Sequence, residues 1–269
     1  MIHKTVQGVD VPALGLGTYL LTGRACRRSV AEAIDTGYRH IDTASVYGNE
    51  KETGQGLHDA GIAREDIFLT TKIWMDNLIP TRIAPATEKS LSKLRTPYVD
   101  LLLIHWPTPA MELEACLDEM QALQAAGKVR HIGVSNFPPA LMRRAAAHAP
   151  IFCNQVEYHP YLDQSALRTL AQECDALLTA YSPLCRGAVL RDNTLKDIAA
   201  AHNKTPAQVT LRWLLQLDRV AAIPKSSGPQ HREQNFDLFD FELDHEEMRR
   251  IDALACGKRI GDPSWAPAW

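Results

Sequence analysis

The chain has 269 residues, 45% of them hydrophobic and 23% charged, with a formal net charge of -3. This is ordinary globular composition, and the length suits one barrel domain spanning 1–269. The slight negative charge offers no basic field for nucleic acid or an anionic membrane. Six cysteines without a C-x-x-C pair point to reduced thiols, not a disulfide framework.

Residues 1–17 contain no basic stretch followed by an apolar core, so no secretory leader is expected. The longest apolar runs, such as 101–104, are far shorter than a membrane span. Both observations predict a cytoplasmic protein. Next, Val6-Gln7-Gly8-Val9 reads as two short strands around a glycine turn, a hairpin able to plug a barrel floor. Eight β-rich runs follow, at 14–17, 40–42, 67–71, 99–104, 132–134, 152–157, 177–180 and 220–223. Helical patterns at 27–36, 50–60, 83–94, 113–126, 138–147, 164–174, 194–202, 206–217 and 244–254 alternate with them. Gly37, Gly61 and Gly127 supply helix stops, Pro138 suits a first helical turn, and Thr205 and Asp244 are predicted caps. Such alternation implies a parallel sheet with right-handed crossovers. Eight units close more naturally into a (β/α)8 barrel than into an open sheet.

Three polar residues recur at strand ends. Asp42, Lys72 and His105 each follow an apolar run, with gaps of 30 and 33 residues, about one strand-helix-strand unit. In a parallel barrel they emerge side by side on the face where barrel enzymes keep their chemistry. Tyr47, five residues beyond Asp42, can fold back over them. Singly, each has a bland explanation: a helix cap, a solvated lysine, a loop histidine, a packed tyrosine. Joint placement at successive strand ends favours a proton-transfer site. A free phenol has a pKa near 10, and an adjacent ammonium lowers it. Lys72 is therefore expected to acidify Tyr47, Asp42 to hold Lys72, and a neutral His105 to orient a carbonyl oxygen that becomes an alkoxide.

The segments Gly15-Leu-Gly-Thr18, Gly37-Tyr-Arg-His-Ile-Asp-Thr-Ala44, Tyr47-Gly-Asn-Glu50, Thr71-Lys-Ile-Trp74, Asp100-Leu-Leu-Leu-Ile-His-Trp-Pro107, Gly133-Val-Ser-Asn-Phe137 and Ile223-Pro-Lys-Ser226 resemble the aldo-keto reductases. The resemblance runs in order from about residue 2 to 254. Within the family the chain looks most like the short bacterial 2,5-diketo-D-gluconate reductases. The resemblance implies metal-free, NAD(P)H-dependent reduction of aldehydes or ketones by a monomer. It makes Tyr47 the proton donor, Lys72 the group that lowers its pKa, Asp42 the support of Lys72, and His105 the residue that orients the carbonyl.

No dinucleotide fingerprint is present, since Gly15-Leu-Gly17 lacks the third glycine. A barrel can instead lay the cofactor across its strand ends. The resemblance places Gly17, Thr18 and Asp42 beside it, the nicotinamide amide against Ser135, Asn136 and Gln155, and Tyr181 on the ring. Ser182 and Leu184 follow the pyrophosphate, and Lys225 and Ser226 meet a ribose 2'-phosphate. The family pattern then expects Arg, Glu and Asn where this chain has His231, Gln234 and Asn235. Arg232 lies one residue along and could substitute, although one helical position turns a side chain by about 100°. NADPH is the expected cofactor, with NADH use possible because neutral His lacks the guanidinium fork.

Tyr19, Trp74, His105 and Trp106 are expected to wall the substrate site, and Trp265 in the Pro/Gly-rich tail to close it. Lys258 and Arg259 could attract an anionic sugar acid. Small aldehydes, methylglyoxal, keto esters and 2,5-diketo-D-gluconate all fit that frame. Three other readings compete: a barrel lyase forming a Schiff base on Lys72, a metal hydrolase, and a cofactor-binding subunit without turnover. The ten histidines form no H-x-H or H-E-x-x-H pair, leaving Glu157-Tyr-His159 as weak support for the second.

Overall fold

Strand after strand adds to one sheet because each crossover carries a helix that covers its outer face. The computed structural model describes residues 2–269. A hairpin comes first, β1 (His3–Val6) and β2 (Val9–Pro12), paired antiparallel through a turn with Gln7 and Gly8 at φ 50° and 76°. The parallel sheet follows: β3 (Leu16–Gly17), β4 (His40–Asp42), β5 (Phe68–Ile73), β6 (Val99–Ile104), β7 (Val129–Ser135), β8 (Cys153–Glu157), β9 (Leu177–Tyr181) and β10 (Val220–Ala222). Spatial order equals chain order. The sheet closes where Leu14 bridges Ala222, with Gly15 N donating to Ala222 O (2.8 Å) and Ala222 N to Ala13 O (2.8 Å). All eight expected strands form. β5 runs two residues further than expected, so Lys72 sits inside its strand.

The helices are α1 (Gly23–Thr36), α2 (Glu50–Asp59), α3 (Pro80–Leu94), α4 (Leu113–Ala125), α5 (Pro139–His148), α6 (Ser165–Glu173), α7 (Asn193–Ala201), α8 (Pro206–Gln216), α9 (Pro229–Phe236) and α10 (His245–Asp252). Thr205 and Asp244 both complete capping boxes, with Gln208 and Glu247. Pro138 caps α5 from outside, and Pro139 holds the first turn instead. Helix α9 is absent from the sequence pattern. Its segment is almost wholly polar, and only Arg232 and Asn235 are buried, so no apolar stripe announces it.

Two apolar layers result. The larger fills the space between strands and helices. The smaller fills the barrel with Phe68, Leu101, Leu103, Phe152, Leu177 and Ala221, and the hairpin contributes Val6 and Val11 to it. The hairpin therefore plugs the floor, as expected. Burying Phe152 completely stabilises by roughly 1.5–3 kcal/mol. With the lower barrel filled, the open end at the strand C-termini is left for the site. All six cysteines are free. No helix among the described residues is long and apolar enough to cross a membrane.

Candidate active site

Asp42 ends β4, Lys72 lies near the end of β5, and His105 follows β6 directly. Lys72 pairs in register with Leu103 of the barrel interior, which turns its side chain inward. Tyr47 is brought back by a single helical turn, Ser45–Tyr47, ended by Gly48 at φ 69°. Ser45 Oγ ties that turn to β5 by donating to Lys72 O (2.9 Å). Asn49 pins the loop from behind: its amide donates to Thr18 O (2.8 Å) and Leu21 O (2.9 Å), and its oxygen accepts from Thr43 Oγ1 (2.9 Å).

The four groups meet as expected. Lys72 Nζ donates to Asp42 Oδ1 (2.5 Å), Thr43 O (2.8 Å) and Tyr47 Oη (3.4 Å). Asp42 Oδ2 accepts from Gln155 Nε2 (2.7 Å) on the far side. The His105 ring stands edge-on to Tyr47 at 5.5 Å and to Trp74 at 5.1 Å between centroids. Because Tyr47 Oη accepts from the ammonium, its own proton is free to point into the cavity. All three Lys72 donors have acceptors, which is a poor setting for the neutral amine a Schiff base requires.

Electrostatics revise one expectation. Burial and the Asp42 charge raise the Tyr47 pKa well above 10, so the phenol is not acidified. The physical reason is burial first, which penalises the phenolate, and then the negative charge of Asp42, with the ammonium 3.4 Å from the phenol and paired with that carboxylate. Burial lowers the Lys72 pKa against the opposing pull of Asp42. Burial, aided by the Lys72 charge, drops His105 well below 6.5. These directions favour the neutral imidazole at His105 and the protonated phenol at Tyr47.

These groups lie at the bottom of a cavity of about 490 Å³. Gly17, Asn136, Gln155, Tyr181, Ser182 and Lys225 line it, together with the aromatic residues Tyr19, Trp74, Trp106 and Trp265. Trp265 stands edge-on to Trp106 (5.1 Å) and Trp74 (6.0 Å), closing the aromatic wall as expected. Trp269 packs further out, on Trp106 at 6.2 Å. Asn136, at φ 61°, donates to His105 O (3.0 Å) and Ser135 Oγ (3.0 Å) and accepts from Tyr181 Oη (2.8 Å). Ser135 Oγ in turn donates to Gln155 O (2.8 Å). Thr18 and Ser135 are buried behind the lining, and Leu184 lies half-buried in the loop after β9.

The remaining candidates sit further out. Ser226 is buried and donates to Gly228 O (3.0 Å), His231 is exposed in the first turn of α9, Gln234 is half-buried and Asn235 buried. Arg232 does not substitute for the missing arginine. It is 1% exposed, pairs with Glu32, donates to Ser29 Oγ and Ser226 O (both 3.3 Å), and so braces α9 on α1. The 100° between successive helical positions sends it into the core while His231 faces out.

Several contributors were not foreseen. Val46, Arg186, Ile223 and the tail residues Ile260, Gly261 and Pro263 also line the cavity. The Glu157–His159 pair belongs to the tail: Glu157 accepts from His159 Nε2 (2.9 Å), Ile260 N (2.7 Å) and Gly261 N (2.6 Å). No spacing rule links a strand-end glutamate to a loop a hundred residues on, so only the fold reveals it.

A closed parallel barrel with Tyr, Lys, Asp and His gathered at its mouth defines an oxidoreductase class, and the chain belongs to the aldo/keto reductase family. The model of that family matches residues 13–255. Methylglyoxal reductase DkgB of Escherichia coli O157:H7 is 40% identical, over 96% of this chain and 99% of its own. A crystal structure described as that of a putative 2,5-diketo-D-gluconic acid reductase B superposes with TM-score 0.97 at 42% identity, covering 100% of this chain and 98% of the other. The Bombyx mori aldo-keto reductase, solved in complex with NADP, gives TM-score 0.91 at 34% identity, covering 98% and 95%.

Proposed function

We propose that this chain uses NADPH to reduce small aldehydes and ketones to alcohols, with Tyr47 as the proton donor. The observation that carries the reading is the Tyr47–Lys72–Asp42–His105 cluster at the base of the cavity. Methylglyoxal and 2,5-diketo-D-gluconate, named for the relatives, are the first candidate substrates. Six unpaired cysteines support a reducing, cytoplasmic setting, and we read the protein as a monomer.

The residues suit the cofactor. Thr18 Oγ1 is a buried hydroxyl without a protein partner, and Lys225 places an exposed cation on the cavity rim. Gln155 gives its amide N–H to Asp42 and keeps its carbonyl for a ligand. Ser135, Asn136 and Gln155 would hold the nicotinamide amide, Tyr181 would stack on the ring, Ser182 and Leu184 would follow the diphosphate, and Lys225 and Ser226 would meet the 2'-phosphate. Bound NADPH supplies a hydride. The protein does the rest. Trp74, Trp106 and Trp265 exclude water from the carbonyl, and neutral His105 donates a hydrogen bond to its oxygen. As charge develops on that oxygen, Tyr47 delivers its proton, and Lys72 stabilises the phenolate left behind. A high resting pKa suits this order of events, because the proton stays on the phenol until an alkoxide demands it.

The test follows NADPH absorbance with methylglyoxal, 2,5-diketo-D-gluconate and an aromatic aldehyde, using Tyr47→Phe as control. Turnover by the parent chain that vanishes in the variant supports the reading. Undiminished turnover in Tyr47→Phe sinks it.

A further inference from the structure

We propose that this chain has a second ligand site, for a small phosphate monoester, in the groove between helix α3 and the turn that carries Tyr47. A cavity of about 370 Å³ lies there, apart from the substrate cavity but sharing Val46 and Trp74 with it. Arg82, Lys89 and Lys93 line it from α3, seven and four residues apart, a spacing that keeps them on one helix face. Every charged residue in the lining is basic. Among the described residues Arg82 and Lys89 form no salt bridge, and the side-chain bond from Arg82 goes to a backbone oxygen, Asp76 O (3.2 Å). Lys93 pairs at 3.3 Å with Glu50, a buried carboxylate that also accepts from Thr71 Oγ1 (2.8 Å). Ser90 is buried and also lines the groove, and neither its hydroxyl nor the Asn77 side-chain amide has a hydrogen-bond partner among the described residues.

A concave surface lined by one sign of charge focuses its field on a counter-ion. With Lys93 committed to Glu50, two cations remain without a counter-charge, and a phosphate monoester carries about -1.5 to -2 at neutral pH. The donors differ in shape: a guanidinium fork, an ammonium, a hydroxyl and an amide. That set suits the several oxygens of a phosphate better than the two of a carboxylate. The volume falls at the lower end of the roughly 300–1,000 Å³ typical of small-molecule pockets, so a short organic group fits beside the phosphate. The side chains of Trp74 and Pro85 would cover that group. The cofactor's proposed phosphate residues, Ser182, Leu184, Lys225 and Ser226, follow β9 and β10, whereas this groove lies beside β5. An occupant would touch Val46 and Trp74, two residues that the carbonyl substrate also meets.

Isothermal titration calorimetry of the NADPH-saturated chain, at matched ionic strength, compares glycerol 3-phosphate, inorganic phosphate and glycerate. Saturation with NADPH fills the proposed cofactor phosphate positions. Glycerol 3-phosphate should bind one to one, tenfold or more tighter than either of the other two. Arg82→Gln and Lys89→Gln should each raise its Kd roughly fivefold or more through the loss of charge-assisted bonds. Lys128→Gln removes a cation that pairs with Glu88 outside the groove, and should leave the Kd within twofold of the parent's. Arg82 and Lys89 are both exposed, so the variants should fold, and circular dichroism checks this. If one of them does not fold, the other carries the test. Absence of binding overturns the proposal, and so do unchanged affinities in the groove variants. Equal affinity for inorganic phosphate marks a bare-anion site, equal affinity for glycerate marks a carboxylate site, and an equal loss in Lys128→Gln marks general surface charge; each overturns it. A chain that does not bind NADPH counts against the reductase reading alone. The titrations are then run on the free chain, and the same outcomes decide the site.

Discussion

Asp42 and Gln155 meet across the barrel in a 2.7 Å hydrogen bond, although 113 residues separate them in the chain. The carboxylate thereby faces Lys72 with one oxygen and Gln155 with the other, and both its neighbours are buried. An asparagine in its place leaves the Lys72 ammonium without a counter-charge in the barrel interior. Asp42→Asn should cost roughly 3–5 kcal/mol of stability by the usual penalty for breaking a buried pair. Urea unfolding measures it, and a loss below about 1 kcal/mol would mean the pair is solvated.

Tyr47→Phe separates chemistry from packing. The ring remains against Tyr19 (5.1 Å) and His105 (5.5 Å), so the fold should be preserved. Losing the proton donor should lower kcat about 10²–10⁴-fold. Single-turnover NADPH oxidation checks the step directly, and circular dichroism confirms the fold. A kcat within threefold of the parent would assign the proton to another group.

Stability should fall on both sides of neutrality. Burial depresses the folded-state pKa of His40, His105 and His131 below 6.5. As pH drops below about 6.5 the unfolded chain takes up protons that the folded chain refuses, so the native state loses ground until the lower folded values are reached. Tyr38, Tyr47 and Tyr181 are shifted upward by burial, and Tyr158 is raised to about 12. Their contribution is complete below pH 10 and is lost as pH climbs toward the folded values. Urea midpoints between pH 5 and 10.5 should trace a dome. A midpoint that holds constant from pH 7.5 to 5 would show that the imidazoles are not kept neutral.

The tail depends on Glu157 rather than on its own sequence. Two backbone amides and an imidazole converge on that carboxylate, and charge-assisted bonds of this kind contribute about 1.5–3 kcal/mol each. A glutamine at this position would offer a single acceptor oxygen and a competing amide donor. Glu157→Gln should raise substrate KM roughly three- to tenfold by the weakening expected of lost charged hydrogen bonds, with kcat less affected. Trypsin should then cut faster after Lys258 and Arg259. Unchanged cleavage there would show the tail to be held without Glu157, by its tryptophans and by the bonds from Cys256 N (3.1 Å) and Lys258 N (3.0 Å) to Tyr161 O.

The barrel and its four central side chains were legible because both depend on spacing: apolar runs mark strands, and parallel strands of like length bring their ends to one face. The sign of the Tyr47 shift was not legible, since it rests first on the burial of the phenol and then on the Asp42 charge beside it. Helix α9 was hidden by its polarity, and the inward turn of Arg232 was hidden with it. The Glu157 latch joins residues that only barrel closure brings together. Local pattern thus located the chemistry, while burial in the folded barrel decided its electrostatics.

His231 tests the adenosine end of the cofactor site. It is exposed in the first turn of α9, one residue from an Arg232 that is committed to Glu32. Lys225, one of two basic residues in the cavity lining with Arg186, is the cation of the proposed 2'-phosphate site. An arginine at position 231 adds a planar fork on the outward face without disturbing the α1–α9 contact, so His231→Arg should tighten NADPH several-fold, by the gain expected from one exposed charge-assisted bond. NADH, which lacks the 2'-phosphate, should bind as before. Fluorescence titration of both cofactors reads the difference. Equal tightening of the two would mean that position 231 meets some other part of the dinucleotide, and no change in either would place it outside the site.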